Sequence, residues 1–150
     1  MIEEVQFAIE EFAEILNEIP AILFSIKEED MVFAKNETQW SKKQIIGHLI
    51  DSACNNHQRF IRTQYENIPL ISYDQNKWNQ YGCYTEAATK NLIDLFIAYN
   101  LHLLIIMRGI DNEKLLLKCS TGGEINLTLG FMIIDYVAHL KHHICQILPG

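Results

Sequence analysis

Asp135-Tyr136-Val137-Ala138-His139-Leu140-Lys141-His142-His143-Ile144-Cys145-Gln146-Ile147-Leu148 carries helical apolar spacing together with two histidines, His139 and His143, four positions apart. On an α-helix such a pair shares one face, about 5–6 Å apart at Cβ, and one divalent metal can be held by both. At about 100° of rotation per residue, Ile133, Val137, Leu140, Ile144 and Ile147 form a seam facing a core. His139 and His143 lie on one flank of that seam with Met132 and Tyr136, and His142 points away from it. Two ordinary, partly buried histidines bonded to their neighbours have the same spacing, and no Glu stands between them to sharpen the motif. A third ligand has to come from elsewhere, and the best candidate is His48 in Ile45-Ile46-Gly47-His48-Leu49-Ile50-Asp51-Ser52. The expectation is a metal bridging two helices.

The helix that carries His48 announces its own start. Ser41 is placed to cap it, Gln44 to close a capping box, and Trp40 with Ile45 to form a hydrophobic staple. The pattern runs to about Gln64, with Ile45, Leu49, Ala53 and Phe60 on the buried arc and His48, Ser52, Asn55, Asn56 and Arg59 along one edge. A polar edge facing water needs no further explanation, but one beside an apolar seam predicts a lined pocket. Ser52, Asn55, Asn56, Arg59 and Tyr136 are therefore the candidate pocket residues.

Working outward, Val5, Ile9, Phe12, Leu16, Ile19 and Leu23 give a first amphipathic helix, which Pro20 is expected to kink or interrupt. The run Lys27 to Asp30 reads as a solvated helix end. Residues 65–84, with Pro69, Trp78, Tyr81, Gly82 and Tyr84, form a long connection that is either a lid or packing across the bundle end. A third helix is predicted from Thr85, as its cap, to about Arg108, with Leu92, Phe96, Tyr99, Leu103 and Ile106 as its seam. His102 beside that seam is a candidate fourth ligand, or an ordinary core histidine. Ser120-Thr121-Gly122-Gly123 between two apolar runs predicts a short hairpin, after which Thr128 caps the last helix. The fold class is all-α: a four-helix bundle with a long crossover and a short β-hairpin before the last helix, one domain over residues 1–150. Phe131, Ile134, Ala138 and Cys145 form a second apolar face on the last helix, and a homodimer is the expected cover.

Composition excludes several classes. A chain of 150 residues that is 49% hydrophobic and 21% charged fits a globular domain, not a disordered one. A formal net charge of −7 opposes a phosphate backbone, so no nucleic-acid partner is expected. No apolar stretch long enough for a membrane span is read in the sequence, and Met1-Ile2-Glu3-Glu4-Val5 lacks the parts of a secretion signal. A cytoplasmic location is the default. Cys54, Cys83, Cys119 and Cys145 include no Cys-x-x-Cys pair and read as reduced, small buried hydrophobes.

The segments Trp40 to Ser52 and His139 to Ile147 together resemble the DinB-like superfamily, and the similarity extends through nearly the whole chain, including the Trp78 loop and the Gly122-Gly123 turn. That resemblance implies a four-helix bundle, commonly dimeric, with a divalent metal held by one His of the second helix and two of the fourth: His48, His139 and His143. Members of known activity look like metal-dependent transferases that use a low-molecular-weight thiol, and others are described as metal hydrolases. The family name refers to genes induced by DNA damage and implies no DNA binding.

Three neutral imidazoles with an open position describe a catalytic metal site. Such a metal activates water or deprotonates a thiol. Asn55, Asn56, Arg59 and Tyr136 are placed to orient either reactant, with Arg59 holding the carboxylate of a thiol cofactor. No Glu accompanies the fourth-helix pair as a base, which favours the thiolate route. The expected function is transfer of a low-molecular-weight thiol to an electrophilic small molecule in stress or detoxification. The alternatives are a metal-dependent hydrolase and a noncatalytic metal or small-molecule binding protein. Zinc or nickel comes first among the metals, then iron or manganese.

Overall fold

A computed structural model describes residues 1–149. Four long helices make the bundle: α1 (Ile2–Ser25), α3 (Lys42–Arg62), α5 (Thr89–Arg108) and α6 (Leu129–Ile147). Between them lie the short helices α2 (Glu28–Val32) and α4 (Gln75–Tyr81), a 3-10 turn (Asn112–Leu116), and the strands β1 (Lys118–Cys119) and β2 (Leu127–Thr128). The strands pair antiparallel, Lys118 opposite Thr128 and Cys119 opposite Leu127, as the expected hairpin. Each long helix packs mainly against two others, α3 on α5 and α6, and α1 on α5 and α6. Successive helices α1 and α3 are therefore diagonal, as are α5 and α6, so segments 26–41 and 109–128 cross the bundle. The longer 63–88 connection joins the neighbours α3 and α5.

Local chemistry explains most of the boundaries. Ser41 Oγ accepts from Gln44 N and Gln44 Oε1 accepts from Ser41 N, which is the capping box that starts α3. Thr128 Oγ1 accepts from Phe131 N and starts α6. Pro20 neither ends nor divides α1, because the buried seam of Val5, Ile9, Phe12, Leu16, Ile19 and Leu23 continues through it. Its missing N–H removes one ladder bond from a helix whose packing outweighs that loss.

Three expectations change. The run Lys27 to Asp30 begins α2 and does not end α1. Residues 65–84 are partly helical: Asp74 Oδ1 accepts from Asn76 N and Lys77 N to start α4, and Asn79 Nδ2 donates to Gln44 O to pin it on α3. Thr85 does not cap α5, which starts at Thr89 behind Ala88 with no side-chain cap. Tyr84 lies against Gly47 and donates to Asp51 Oδ1, and this anchorage on α3 holds the preceding turn outside the helix. The α5 seam is correspondingly rotated, burying Ile93, Asn100, Leu104 and Met107 as well as Leu92, Phe96 and Leu103.

By length and composition α5 is also apolar enough to cross a membrane, which the sequence reading missed. In the fold its buried side chains pack among those of α1 and α3. All four cysteines are free, but only Cys119 is fully buried. Phe131 and Phe7 are 47% and 71% exposed on adjacent α6 and α1, so the second apolar face of α6 is largely uncovered by its own chain.

The contact of α3 with Tyr84 depends on the absence of a side chain at Gly47, where a Cβ would lie 2.2 Å from the Tyr84 ring. Gly47→Ala is expected to cost about 1–3 kcal/mol by overpacking, read as a lower urea midpoint. In a Tyr84→Ala background the same substitution should cost much less. Equal cost in both backgrounds would place the strain elsewhere.

Candidate metal centre

Because α3 and α6 are neighbours, His48 faces His139 and His143 across one helix interface. His48 Nε2 and His143 Nε2 each lie 3.1 Å from His139 Nε2, and one nitrogen from each ring falls within 4.8 Å of the other two. Bonds of about 2.0–2.1 Å in tetrahedral geometry place neighbouring donors roughly 3.3–3.4 Å apart. The spacing therefore fits a small divalent cation.

The proton count of the rings points the same way. A neutral imidazole nitrogen is either one donor or one acceptor. His139 Nε2 has two nitrogen neighbours at hydrogen-bonding distance and can satisfy only one of them. Protonating the set does not help, since charged rings would face one another. A cation shared by three lone pairs removes the conflict. His48 is fully buried, and its imidazole is pushed down to about 3, first by burial and then by His139 and His143. His139 is pushed down to about 4 by burial and then by His143, against a smaller upward pull from Asp135. Both rings are neutral, the form a metal needs, through the physiological range.

Surrounding residues set the ring orientations. Trp40 lies against His48 with ring centroids 4.9 Å apart. His143 Nδ1 is 2.9 Å from Gln146 Oε1; as the donor there, Nδ1 carries the proton and leaves the Nε2 lone pair for a cation. Gln146 Nε2 in turn lies 3.4 Å from His142 Nε2, so His142, exposed as expected, belongs to the support of the site and not to its ligand set. His48 Nδ1 is buried without a partner. Gln146 was missed in the sequence; its signal was a position three residues after His143 on the same helix.

The opening lies elsewhere than the sequence implied. A cleft of about 540 Å³ reaches the triad at His143, with Gln39, Trp40, Gln75, Asn76 and Gln146 among its walls. None of Ser52, Asn55, Asn56, Arg59 and Tyr136 lines it. Asn55 Nδ2 donates to Asp51 O, and Asn56 Nδ2 to Ser52 O and Ser52 Oγ, back-bonds that let a polar helix edge be buried. Arg59 donates from Nε and Nη2 to Ile71 O and from Nη1 to Asn56 Oδ1, clamping the 63–88 connection to α3. Tyr136 is a core residue, donating to Asn100 Oδ1 at 2.5 Å and packed edge-on against Phe12 and Phe60. The expectation of a pocket bounded by these five residues is corrected on that ground: their polar groups are engaged within the fold. His102 is exposed and pairs with His57, ring centroids 6.0 Å apart, away from the triad.

No family model matches the chain. A protein of Halalkalibacterium halodurans, named provisionally as a metal-dependent hydrolase, is 22% identical over 156 aligned residues, spanning 97% of this chain and 85% of that one. Among solved structures, YfiT from Bacillus subtilis, described as a probable metal-dependent hydrolase with an unusual four-helix bundle topology, superposes with a TM-score of 0.80. That match has 22% identity and covers 93% of this chain and 83% of the other. The likeness establishes the four-helix bundle.

The lowered pKa values of His48 and His139 set a sign for stability. Between the ordinary value of 6.5 and the folded values of about 3 and about 4, the unfolded chain binds more protons than the folded one. Metal-free protein should therefore lose stability as pH falls from about 6.5 toward 4. Urea midpoints across that range are expected to fall, and to fall less steeply in His48→Gln. An identical slope in the variant would remove His48 from the effect.

Proposed function

We propose that this chain is a metal-dependent hydrolase of the DinB-like type, with a divalent cation held by His48, His139 and His143 and a small-molecule substrate in the adjoining cleft. The observation that carries this reading is the sharing of one imidazole nitrogen, His139 Nε2, between two others at 3.1 Å, an arrangement that a cation satisfies and hydrogen bonding does not. The relatives described as metal-dependent hydrolases support the choice of reaction. When bound, a cation on three neutral imidazoles supplies Lewis acidity and activates water. Zinc or nickel suits the all-nitrogen donor set first, with iron or manganese next.

The chain's own groups do the rest. Gln146 holds His143 in the ligating tautomer, and Trp40 covers one side of His48, excluding water from that face. The cleft walls carry no carboxylate, Lys or Arg. Their amides, from Gln39, Gln75 and Asn76, and the Thr38 hydroxyl suit a neutral polar substrate such as an ester or amide. Thiol transfer uses the same triad, but the guanidinium assigned to a thiol's carboxylate, Arg59, is bonded to Ile71 and is not on this wall. Hydrolysis is therefore the leading reading.

Metal analysis of protein loaded with zinc or nickel should find one ion per chain. His48→Ala, His139→Ala and His143→Ala should each lose most of it, while His142→Ala keeps it. Gln146→Ala should weaken metal affinity about 10–100-fold through the freed His143 ring. A panel of esters and amides should be turned over by the loaded protein and not by His139→Ala. Turnover only of electrophiles with added thiols would replace hydrolysis by thiol transfer, and equal metal loss in all four histidine variants would remove the triad itself.

The second apolar face of α6 fits a homodimer within the same proposal. Ile134 and Ala138 line a groove with Phe7 of α1, and Ile134→Glu should shift light scattering from dimer to monomer with metal content unchanged. A wild-type monomer at micromolar concentration would overturn this part alone.

A further inference from the structure

The triad lies between α3 and α6, and a second group of ligating side chains lies between α3 and α5. His57 of α3 faces both Tyr99 and His102 of α5, which are about one turn apart on that helix. The His57 and Tyr99 rings meet edge-on with centroids 5.5 Å apart, and His57 Nδ1 is 2.8 Å from the Tyr99 hydroxyl. As the donor in that bond, Nδ1 carries the proton and leaves the Nε2 lone pair free. Burial, and then His102, push the His57 imidazole below its ordinary value, which favours the neutral ring. His57 and Tyr99 are half-buried. His102 is exposed, and neither of its ring nitrogens is hydrogen-bonded among the described residues.

We infer that His57 and His102 form a second transition-metal site, at which a nickel or zinc ion bridges α3 and α5 through His57 Nε2 and one His102 nitrogen, with water at its other positions. A nitrogen about 2.0–2.1 Å from an ion sets its ring centroid about 3.2 Å away, so two rings that share an ion have centroids at most about 6.4 Å apart. The His57 and His102 centroids are 6.0 Å apart, inside that limit though wider than the 4.5 to 5.0 Å of the triad. The exposed His102 ring is free to turn a nitrogen toward the ion. Imidazole donors suit nickel and zinc. Among the described residues only the triad brings three ligating atoms within 4.8 Å of one another. The second ion, with two protein ligands, is therefore held more weakly and is lost on desalting, which leaves the single triad ion per chain. While bound it ties α5 to α3 and stabilises the fold in proportion to free metal. The site shares no residue with the triad and does not depend on the hydrolase reading.

His139→Ala removes the central ligand of the triad and leaves the second site to be measured alone. Calorimetric titration of that variant with nickel chloride should show one saturable site. A lost hydrogen bond to a ligating ring costs about 10–100-fold in metal affinity. Adding Tyr99→Phe should fall in that range, and adding His102→Ala, which deletes a ligand, should reach its upper end or abolish binding. His102 is exposed, so its replacement leaves the fold intact, as circular dichroism should verify. Adding His142→Ala, at the exposed histidine of α6, should change nothing. No saturable binding in His139→Ala, unchanged affinity on adding His102→Ala, or loss on adding His142→Ala instead would overturn the assignment.

Discussion

Three imidazoles brought together around His139 Nε2 are the constraint on which the rest of this molecule turns. Each ring is placed by a different device: His48 by a helix fixed at its first turn by a capping box, His139 and His143 by their four-residue spacing, and His143 further by Gln146. Burial holds His48 and His139 uncharged, and a neutral His139 Nε2, with one proton or one lone pair, cannot satisfy both nitrogen neighbours. The fold thus stores an unmet electrostatic demand at one helix interface. A divalent cation answers it more completely than any rearrangement of protons.

The bundle was legible because its signals are strong and local. Helical seams in α1, α3 and α6, the Ser41 and Gln44 box, the Gly122-Gly123 turn and the Thr128 cap all act over a few residues, and each appears where expected. The histidine cluster was legible for the same reason, since phase on a helix fixes which side chains share a flank. Ring order was not. Which helices become neighbours depends on the diagonal crossings of segments 26–41 and 109–128, and no pattern within a single helix encodes that.

The misplaced pocket has an equally specific cause. A polar edge beside an apolar seam has two physical outcomes, a solvated cavity or a buried edge satisfied by its own backbone, and the sequence looks the same for both. Asn55 and Asn56 adopt the second by donating to carbonyls one turn earlier, and Arg59 finds Ile71 O on a segment far from it in the fold's local patterns. The cleft that does reach the triad is built by Gln39, Gln75, Asn76 and Gln146, side chains from three separate stretches with no shared periodicity. Thr85 misled for a similar reason, because Tyr84 is held by Asp51 on another helix before α5 can begin.

The pairing of the first long helix with the last also governs how the molecule is made. Contacts of α1 with α5 and of α3 with α6 take the place of the successive pairs α1–α3 and α5–α6 and, with the α1–α6 contact, span long stretches of sequence, so more loop-closure entropy is overcome and folding is slowed relative to a bundle of sequential neighbours. During synthesis α1 emerges with its seam exposed and waits for α6, the last of the four bundle helices to be made. Two of the three imidazoles arrive with that same helix, so the triad cannot template the early stages of folding. Its assembly instead reports that the bundle has closed.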